Sequence, residues 1–564
     1  MSRNVLQSSL LSAAFSIIFQ ILCRIVTFGI NAFIVRYVGR DILGIMNVRL
    51  LLLESTLLFL SREAINRAAL SSTSQQKEKC SWAQLVNQMW LTVPLCLILC
   101  IPCIYLWIHL LSPVDDLLKA QYNAACYAVA FSCIIELCAE APVFVTQVFC
   151  FVKLKIVLNT LHIVVRSIIF IWIVIGDRSV AISAFAIAQV VSAFIILIGH
   201  YLFFYVYIQK INVYRQKFNV INGEDKLHDT NVDLNGKESL FQNMDDFPFS
   251  KISEMLPGTL ENKENFLNSE LQILTLSFVK QGVLKQILTE GEKYVMSMSP
   301  VLSFSEQATY DVVNNLGSLA ARFIFRPIEE NSYFYFTQTI SRDVQLVRQD
   351  RAKVLQAGKV LSTLSLAVTS IGLLAFTFGQ SYSHTLLLFY GGADFVAGGL
   401  PENLLKWHCL AILFLAVNGI TEGYMFATNT SKDIDKYNYL MAIFSVSFLV
   451  LSYILTSYFG PVGFIFANCI NMFCRICYST HFIWLQFKPI GINPLIGLLP
   501  RKTFSGTLIF VGLICKYFEF SAISIYYHLL IGLIGVVICL ICWALENYEL
   551  VEIGLAYRRK MKKT

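Results

Sequence analysis

Residues 153–208 read KLKIVLNTLHIVVRSIIFIWIVIGDRSVAISAFAIAQVVSAFIILIGHYLFFYVYI, two long apolar runs separated only by the polar tripeptide Asp177-Arg178-Ser179. Each run is longer than the roughly 20 apolar residues that an α-helix needs to cross the hydrocarbon core of a bilayer. A chain surrounded by lipid must satisfy its backbone hydrogen bonds internally, and a continuous helix does so. The stretch therefore predicts a pair of membrane-spanning helices joined by a short turn.

The same pattern recurs along the whole chain. Hydrophobic residues make up 56% of the 564 residues and charged residues only 14%, whereas a soluble domain carries roughly 25% charged residues. Besides 153–176 and 180–208, the runs that are long and apolar enough to span are 9–35, 42–61, 82–108, 117–147, 267–296, 304–334, 355–379, 402–428, 437–459, 461–486, 503–521 and 524–546. We predict an all-α polytopic membrane protein with about fourteen transmembrane helices.

One break in composition divides the chain. Residues 209–266 are polar, nearly balanced in charge and rich in Asn and Asp, a composition typical of a flexible linker. The predicted domains are an N-terminal lobe of helices 1–6 (1–208), a flexible cytosolic linker (209–266), a C-terminal lobe of helices 7–12 (267–486), and helices 13 and 14 with a basic cytosolic tail (487–564).

Lysine and arginine are distributed unevenly between the predicted loops. The C-terminal tail contains YRRKMKK, with five cations, and the loops on the same side of the membrane hold most of the other loop cations. The positive-inside rule places the cation-rich side in the cytosol. An even number of spans then places both termini there.

The sequence indicates neither a metal site nor a catalytic centre. Three Cys-x-x-Cys pairs, starting at Cys100, Cys474 and Cys539, lie inside apolar runs, where thiols behave as small buried hydrophobes rather than as zinc ligands. The sequence also lacks the HExxH, GxSxG and P-loop motifs of hydrolases and ATPases. We expect no enzymatic activity, no cofactor or metal, and no nucleic-acid partner.

Polar residues recur at helical spacing inside the predicted spans. Ionisable groups are costly in a membrane and usually face a cavity or a partner. The stripes comprise Gln20, Arg24, Thr27 and Asn31 in span 1; Glu136, Glu140 and Gln147 in span 4; Gln281, Lys285 and Glu292 in span 7; Asp311, Asn315, Arg322, Arg326 and Glu329 in span 8; and Asn418, Glu422 and Met425 in span 10. Any single charge is equally well explained by a structural pair between helices. Stripes on five helices predict a shared hydrophilic cavity.

The cations of these stripes favour an anionic ligand. Arginine binds phosphate through two parallel hydrogen bonds and lysine supplies a point charge, while acids and amides accept hydrogen bonds from sugar hydroxyls. A phosphorylated glycolipid therefore fits the predicted cavity better than a purely apolar solute does. Arg67 and Lys153 lie near the cytosolic ends of their spans and are predicted to flank a cytosolic access route.

Several long motifs resemble the eukaryotic Rft family. They are FVKQGVLKQILTEGEKYVM (278–296), YDVVNNLGSLAARFIFRPIEE (310–330), NGITEGYMFA (418–427), GPVGFIFANCINM (460–472) and, near the N-terminus, FGINAFIVRYVGRDILGIMNVRLLLLESTLLFLSREAINRA. This family belongs to the multidrug/oligosaccharidyl-lipid/polysaccharide exporter superfamily. The resemblance implies an endoplasmic-reticulum membrane protein needed for N-glycosylation. Its implied partners are the dolichyl-pyrophosphate oligosaccharide of five mannoses and two N-acetylglucosamines, membrane lipids and the glycosylation machinery.

The resemblance also implies roles for the charged residues. In the bacterial lipid II flippase, arginines on the first, second and eighth helices line a cavity that binds pyrophosphate, and Arg24, Arg62 and Arg326 fall on the same helices here. The predicted pyrophosphate site comprises Arg24, Arg62, Lys285, Arg322 and Arg326. The predicted sugar-binding and cavity-lining residues are Gln20, Asn31, Glu136, Glu140, Asn315, Asn418 and Glu422. Glu290, Glu292 and Lys293 are predicted to form a luminal gate of ion pairs between the halves, a feature in which this sequence departs from the bacterial pattern.

Three functions are compatible with these residues. The first is transport of the lipid-linked oligosaccharide from the cytosolic to the luminal leaflet by alternating access. The second is a non-transporting factor of the endoplasmic reticulum that binds the same lipid for the same step. The third is a drug/cation antiporter, which a cationic cavity disfavours electrostatically. The sequence does not decide between the first two.

Overall fold

A computed structural model describes residues 26, 28–75, 81–111, 113–149, 151–224, 247–258, 265–298, 302–342, 344–520, 524–548 and 552. These residues form α-helices with short π and 3-10 turns, and none of them lies in a β-strand. The chain divides into two compact units. The first is Met1–Ile34 with Ile45–Met298, and the second is Val35–Gly44 with Ser299–Thr564.

The first unit is a bundle of long helices. They are α1 (Leu51–Gln75), α2 (Trp82–Trp90), α3 (Thr92–Tyr105), α4 (Asp116–Leu137), α5 (Glu140–Val148), α6 (Val152–Gly176), α7 (Ala181–Glu224) and α8 (Ser269–Met298). α8 packs along α1, and α7 packs against both α4 and α6. α8 belongs to the first unit although it follows the predicted linker; the lobe boundary at residue 267 stays a prediction.

The fourth predicted span is broken in the middle. α4 ends at Leu137, α5 begins at Glu140, and the two helices are bent by 48°. At the break the amide of Ala139 donates to the carbonyl of Glu136 at 3.0 Å, a tight i→i−3 turn that redirects the chain. Residues 117–147 are thus a bent pair of helices rather than one continuous helix, and Glu136 and Glu140 flank the bend.

Part of the segment predicted to be a flexible linker is folded. α7 continues through the start of that segment to Glu224. Residues 247–258, which we call the strap, lie against the first unit, where Phe247, Phe249 and Met255 are buried in its core. The indole of Trp90 donates to the carbonyl of Met255 at 2.9 Å. Because 209–266 is polar on average, its composition does not reveal these three apolar residues. The free energy gained by burying them among aromatic side chains outweighs the entropy lost in ordering the strap.

The second unit is a bundle around α12. Its helices are a short helix Arg40–Gly44, then α9 (Phe304–Ala320), α10 (Arg326–Thr339), α11 (Arg351–Gly391), α12 (Leu400–Thr428), α13 (Ser431–Phe459), α14 (Val462–Phe487), α15 (Lys502–Phe520) and α16 (Ile525–Glu546). α12 packs against α9, α10, α11 and α14. Phe336, Tyr424 and Phe487 are fully buried between these helices. α15 and α16 pack on each other and on α11.

The described residues include ten helical segments long and apolar enough to cross a membrane, and eleven if the bent pair α4 and α5 counts as one span. They overlap predicted spans 2–6 and 9–14. Most of predicted span 1 lies outside the described residues. Spans 7 and 8 correspond to α8 and to α9 with α10, which are helical but not among these apolar segments. The all-α polytopic class is confirmed, and the total of about fourteen stays a prediction.

Candidate functional site

The first unit holds a cluster of charged side chains within its spans. This glutamate–arginine cluster comprises Glu54 and Arg62 on α1, Glu136 on α4, Glu140 on α5, Arg166 on α6 and Gln189 on α7. Arg62 Nη1 donates to Glu136 Oε1 at 3.0 Å. Arg62 also interacts electrostatically with Glu140, across the bend between α4 and α5. Three residues of the predicted site are therefore brought together by the break in the fourth span.

A second ion pair extends the cluster. Arg166 Nη1 lies 3.6 Å from Glu54 Oε2 and donates to Gln189 Oε1 at 3.0 Å. Glu54 also interacts electrostatically with Glu136, which links the two pairs into one network. Arg62 interacts electrostatically with all three carboxylates of the cluster, Glu54, Glu136 and Glu140. The cluster joins α1, α4, α5, α6 and α7.

Arg62 is the accessible cation of this network. Its side chain is 39% exposed, whereas those of Glu136 and Arg166 are 15% and 21% exposed. A guanidinium carries five N–H donors, and in the described part of the chain one of them is bound, by Glu136. The remaining donors of Arg62 are therefore available to an anionic ligand.

The predicted gate residues make local contacts. Glu290 Oε2 lies 3.2 Å from Lys293 Nζ on the same helix, α8. Ser55 of α1 donates to Glu290 Oε1 at 3.3 Å, and Tyr294 of α8 shares a 2.7 Å hydrogen bond with Thr56 of α1. Together these contacts hold α8 to α1 within the first unit. Glu292 is half-buried on the same helix. A gate of ion pairs between the halves stays a prediction.

In the second unit, Glu422 of α12 lies in a buried hydrogen-bond network. Arg475 of α14 donates to both of its oxygens, through Nε at 3.3 Å and through Nη2. Tyr437 of α13 donates to Oε1 at 2.5 Å, and Asn418 of α12 donates to Oε2 at 2.9 Å. These bonds tie three helices together. The carboxylate is satisfied from within the protein, which is the geometry of a structural ion pair.

Arg326, unlike Glu422, has an exposed side chain. It begins α10, and its Nε donates to Glu330 Oε1 at 3.0 Å, with side-chain exposures of 72% and 67%. An exposed pair of this kind contributes little to stability. Arg326 also interacts electrostatically with Glu329. One helix earlier, Asn315 donates to Asp311 at 3.1 Å.

Comparison with known proteins agrees with this architecture. The model of the family described as "Rft protein" matches residues 8–555.

The chain belongs to the Rft family.

Relatives of this Rft-family chain cover most or all of its length. It is 65% identical over 563 residues to the Man(5)GlcNAc(2)-PP-dolichol translocation protein RFT1 of Drosophila melanogaster, with 100% of both chains covered. The protein of the same name from Xenopus tropicalis is 38% identical, over 88% of this chain and 86% of the relative. That from Mus musculus is 37% identical, over 90% and 88%.

The Rft-family fold is similar to that of a solved transporter. The structure titled "Lipid II flippase MurJ, inward closed conformation" superposes with a TM-score of 0.52, over 93% of this chain and 100% of that chain. The two sequences are 14% identical. At that identity the likeness concerns the fold alone.

Several predicted site residues lie outside the two networks or outside the described part of this Rft-family chain. Arg67 pairs with Glu63 one turn earlier on α1, at 2.8 Å, while Lys153 and Asn31 are exposed. Gln20 and Arg24 are not among the described residues, and neither are the side chains of Lys285 and Arg322. The pyrophosphate site as a whole stays a prediction.

Besides Tyr437, four residues of the two networks carry no prediction from the sequence. Glu54, Arg166 and Arg475 interrupt the apolar runs LLLLESTLLF, LHIVVRSIIF and MFCRICYS, and Gln189 lies in AFAIAQVVSAF. Each carries the signal that marks Glu136, a polar group inside a span. His162 shares a helix face with Arg166, and Asn471 shares one with Arg475, each at a spacing of four residues, so stripes of polar residues could have marked the two arginines.

Proposed function

We propose that this protein moves the dolichyl-pyrophosphate oligosaccharide of five mannoses and two N-acetylglucosamines from the cytosolic to the luminal leaflet of the endoplasmic-reticulum membrane. The observation that carries the proposal is the 65% identity, over the full length of both chains, to a protein named for that translocation. The likeness to the fold of a lipid flippase supports it. Because the sequence has no ATP-binding motif, transport is downhill or coupled to an ion.

Arg62 supplies the first unit's cation for the pyrophosphate. Its guanidinium has free donors in a planar arrangement that suits two phosphate oxygens at once. Glu136 and Glu140 orient the side chain and compete with the ligand for it. Binding therefore exchanges a carboxylate for a phosphate, and release restores the carboxylate. Such an exchange suits a transporter, because the guanidinium regains an anionic partner when the lipid is released.

Arg326 supplies the second unit's cation. Its bond to Glu330 is exposed and weak, so a doubly charged pyrophosphate competes well for it. Arg24, Lys285 and Arg322 are proposed as further cations, and Gln20, Asn31 and Asn315 as partners of the sugar hydroxyls. Glu422 is assigned a structural role instead, because Arg475, Tyr437 and Asn418 occupy its carboxylate. Arg67 and Lys153 remain candidates for the cytosolic access route.

The test is transport by purified protein. Full-length protein is reconstituted in vesicles that contain the radiolabelled lipid-linked oligosaccharide, and an added mannosidase reports the share of the lipid in the outer leaflet over time. A transporter exposes the whole pool, whereas protein-free vesicles expose only the outer share. Lipid binding without any protein-dependent exposure would instead identify a non-transporting lipid-binding factor, acting beside the glycosylation enzymes of the endoplasmic reticulum.

A further inference from the structure

The second unit contains a cavity of about 790 Å³ that none of the proposed site residues lines. Its walls come from the first turns of α11, the turn 491–496, the start of α15 and the end of α16. We call it the α11–α16 pocket and define it by Lys359, Ser362, Thr363, Asn493, Arg501 and Glu546.

Close contacts hold the walls of this pocket in place. Gly497 lies against the backbone of Ser362, where a Cβ atom would come within 1.9 Å of the carbonyl oxygen. A Cβ atom on Gly358 would lie 3.0 Å from the side chain of Ile492. Asn493 Oδ1 accepts a hydrogen bond from the amide of Leu495 at 3.2 Å, which fixes the turn. The turn is thus pinned to α11, and the pocket is preformed.

Two cations border the pocket with their charges unmatched. In the described part of the chain, the side chains of Lys359 and Arg501 form no ion pair and no hydrogen bond with another residue. The one acid of the lining, Glu546, accepts a hydrogen bond from the amide of Phe504 at 3.1 Å. Ser362 and Thr363 add hydroxyl groups to the wall. This combination of donors favours an anion with further polar substituents.

The pocket lies toward one end of its helices, at the start of predicted span 9 (355–379). α11 has 41 residues and is therefore about 60 Å long, twice the roughly 30 Å thickness of the hydrocarbon core. Its lining positions, 355–366, fall in the first turns of α11, toward one end. Arg351, Lys353, Lys488 and Lys502 lie in or next to the segments that form the pocket. By the positive-inside rule this end faces the cytosol, where the leaflet carries anionic lipids.

An apolar groove begins at the edge of the pocket. α15 and α16 line this shallow groove through Thr507, Ile541 and Leu545, and Glu546 borders both the groove and the pocket. Ile541 and Leu545 are 54% and 73% exposed, as expected of side chains that face lipid. A pocket that combines two cations and two hydroxyl groups with apolar side chains, and that shares Glu546 with an apolar groove, suits a lipid headgroup and its chain.

We propose that the α11–α16 pocket binds an anionic glycerophospholipid of the surrounding membrane. The phosphate lies between Lys359 and Arg501, headgroup hydroxyls meet Ser362 and Thr363, and an acyl chain follows the groove between α15 and α16. The C-terminal tail is a poor alternative occupant, because YRRKMKK carries charge of the same sign as the pocket. The bound lipid joins α16 to the start of α11 and thereby stabilises the second unit.

The test compares two double variants of the full-length protein, purified and delipidated in detergent. Lys359→Ala/Arg501→Ala removes the pocket cations. Lys353→Ala/Lys502→Ala removes the same charge from the same helix and the neighbouring position, and is the matched control. Native mass spectrometry measures binding of dioleoyl phosphatidylinositol and of dioleoyl phosphatidylcholine. We expect wild type and control to prefer phosphatidylinositol, and the pocket variant to bind it about tenfold more weakly, with phosphatidylcholine binding unchanged.

Three results would overturn the proposal. An equal loss in both double variants would mean general attraction to surface charge. Unchanged phosphatidylinositol binding by the pocket variant would place the lipid elsewhere. Displacement of phosphatidylinositol from the wild type by equimolar lipid-linked oligosaccharide would assign the pocket to the transported lipid. If the alanine pair does not fold, Arg501→Glu with Lys502→Glu as its control poses the same question at exposed positions.

Discussion

At the scale of single residues, the charges of this chain fall into two kinds. Arg62 and Arg326 are partly exposed and are held by bonds that a ligand can replace. Glu422 is buried, and Arg475, Tyr437 and Asn418 together satisfy its carboxylate. The hydropathy of the sequence does not separate the two kinds, since all four charged residues lie in or next to predicted spans. Their accessibility separates them, and it leads to opposite predictions for substitution.

Replacing Arg62 should reduce transport. A charge-assisted phosphate contact is worth roughly 1.5–3 kcal/mol, about ten- to a hundredfold in affinity, so at low lipid content Arg62→Ala should slow the protein-dependent exposure of the lipid to mannosidase by up to that factor. Arg62→Lys should recover part of it, because lysine keeps the charge but loses the planar fork.

The control for Arg62 separates a ligand contact from a structural pair. If Arg62 only neutralised Glu136, Arg62→Ala/Glu136→Gln would restore both abundance and transport. We expect the double variant to be abundant but inactive. Lys119→Ala, which removes an exposed cation of the same unit that has no assigned role, should leave transport within a few-fold of wild type.

Breaking the ion pair of Glu422 should destabilise the second unit. Removing one partner of a buried pair leaves an uncompensated charge and costs about 3–5 kcal/mol, so Arg475→Ala should lower the thermal unfolding midpoint of the purified protein. Glu422→Gln/Arg475→Met should recover much of the loss. Arg326→Ala, which breaks an exposed pair, should cost no more than about 1 kcal/mol. Equal midpoints for Arg475→Ala and Arg326→Ala would contradict this assignment.

At the scale of elements, the strap stabilises the first unit by capping its aromatic core. Phe247 is fully buried, stacks on Phe204 with ring centroids 6.3 Å apart and meets the edge of Phe149 at 5.3 Å. The main chain of the strap is held as well, since Asn212 of α7 donates to the carbonyl of Ser250 at 2.8 Å. Side-chain burial and hydrogen bonding together order this part of the segment between α7 and α8.

Loss of the strap's anchor should therefore loosen the first unit. Truncating a buried phenylalanine costs about 3–5 kcal/mol, so Phe247→Ala should lower the unfolding midpoint and accelerate hydrogen exchange in α2, which packs beneath the strap. Leu256 belongs to the same strap but is 44% exposed, and Leu256→Ala should change neither measurement. Identical exchange in both variants would show that the strap is not part of the core.

At the scale of the whole molecule, we predict that both termini lie in the cytosol. The reason is the excess of lysine and arginine in the loops on that side and in the tail. An epitope tag at the C-terminus should be digested by protease added to intact microsomes, while a luminal marker protein stays protected. A tag that is digested only after detergent is added would show that the C-terminus lies in the lumen.

The class of this protein is determined by its sequence alone, because hydropathy is a local property. Runs such as 153–176 must lie in lipid whatever surrounds them, and a polar residue such as Glu136 in a span must find a partner. The sequence therefore predicts the spans and, in Arg62, Glu136 and Glu140, part of the glutamate–arginine cluster.

Which partner each polar group finds is decided by the tertiary structure alone. Glu422 meets Arg475 from 53 residues away, and Arg166 meets Glu54 because α6 and α1 approach the same point. The bend between α4 and α5 and the burial of the strap likewise depend on what lies beside them. Such contacts join helices that are distant in the chain, and the local composition of a helix does not specify which other helices pack against it.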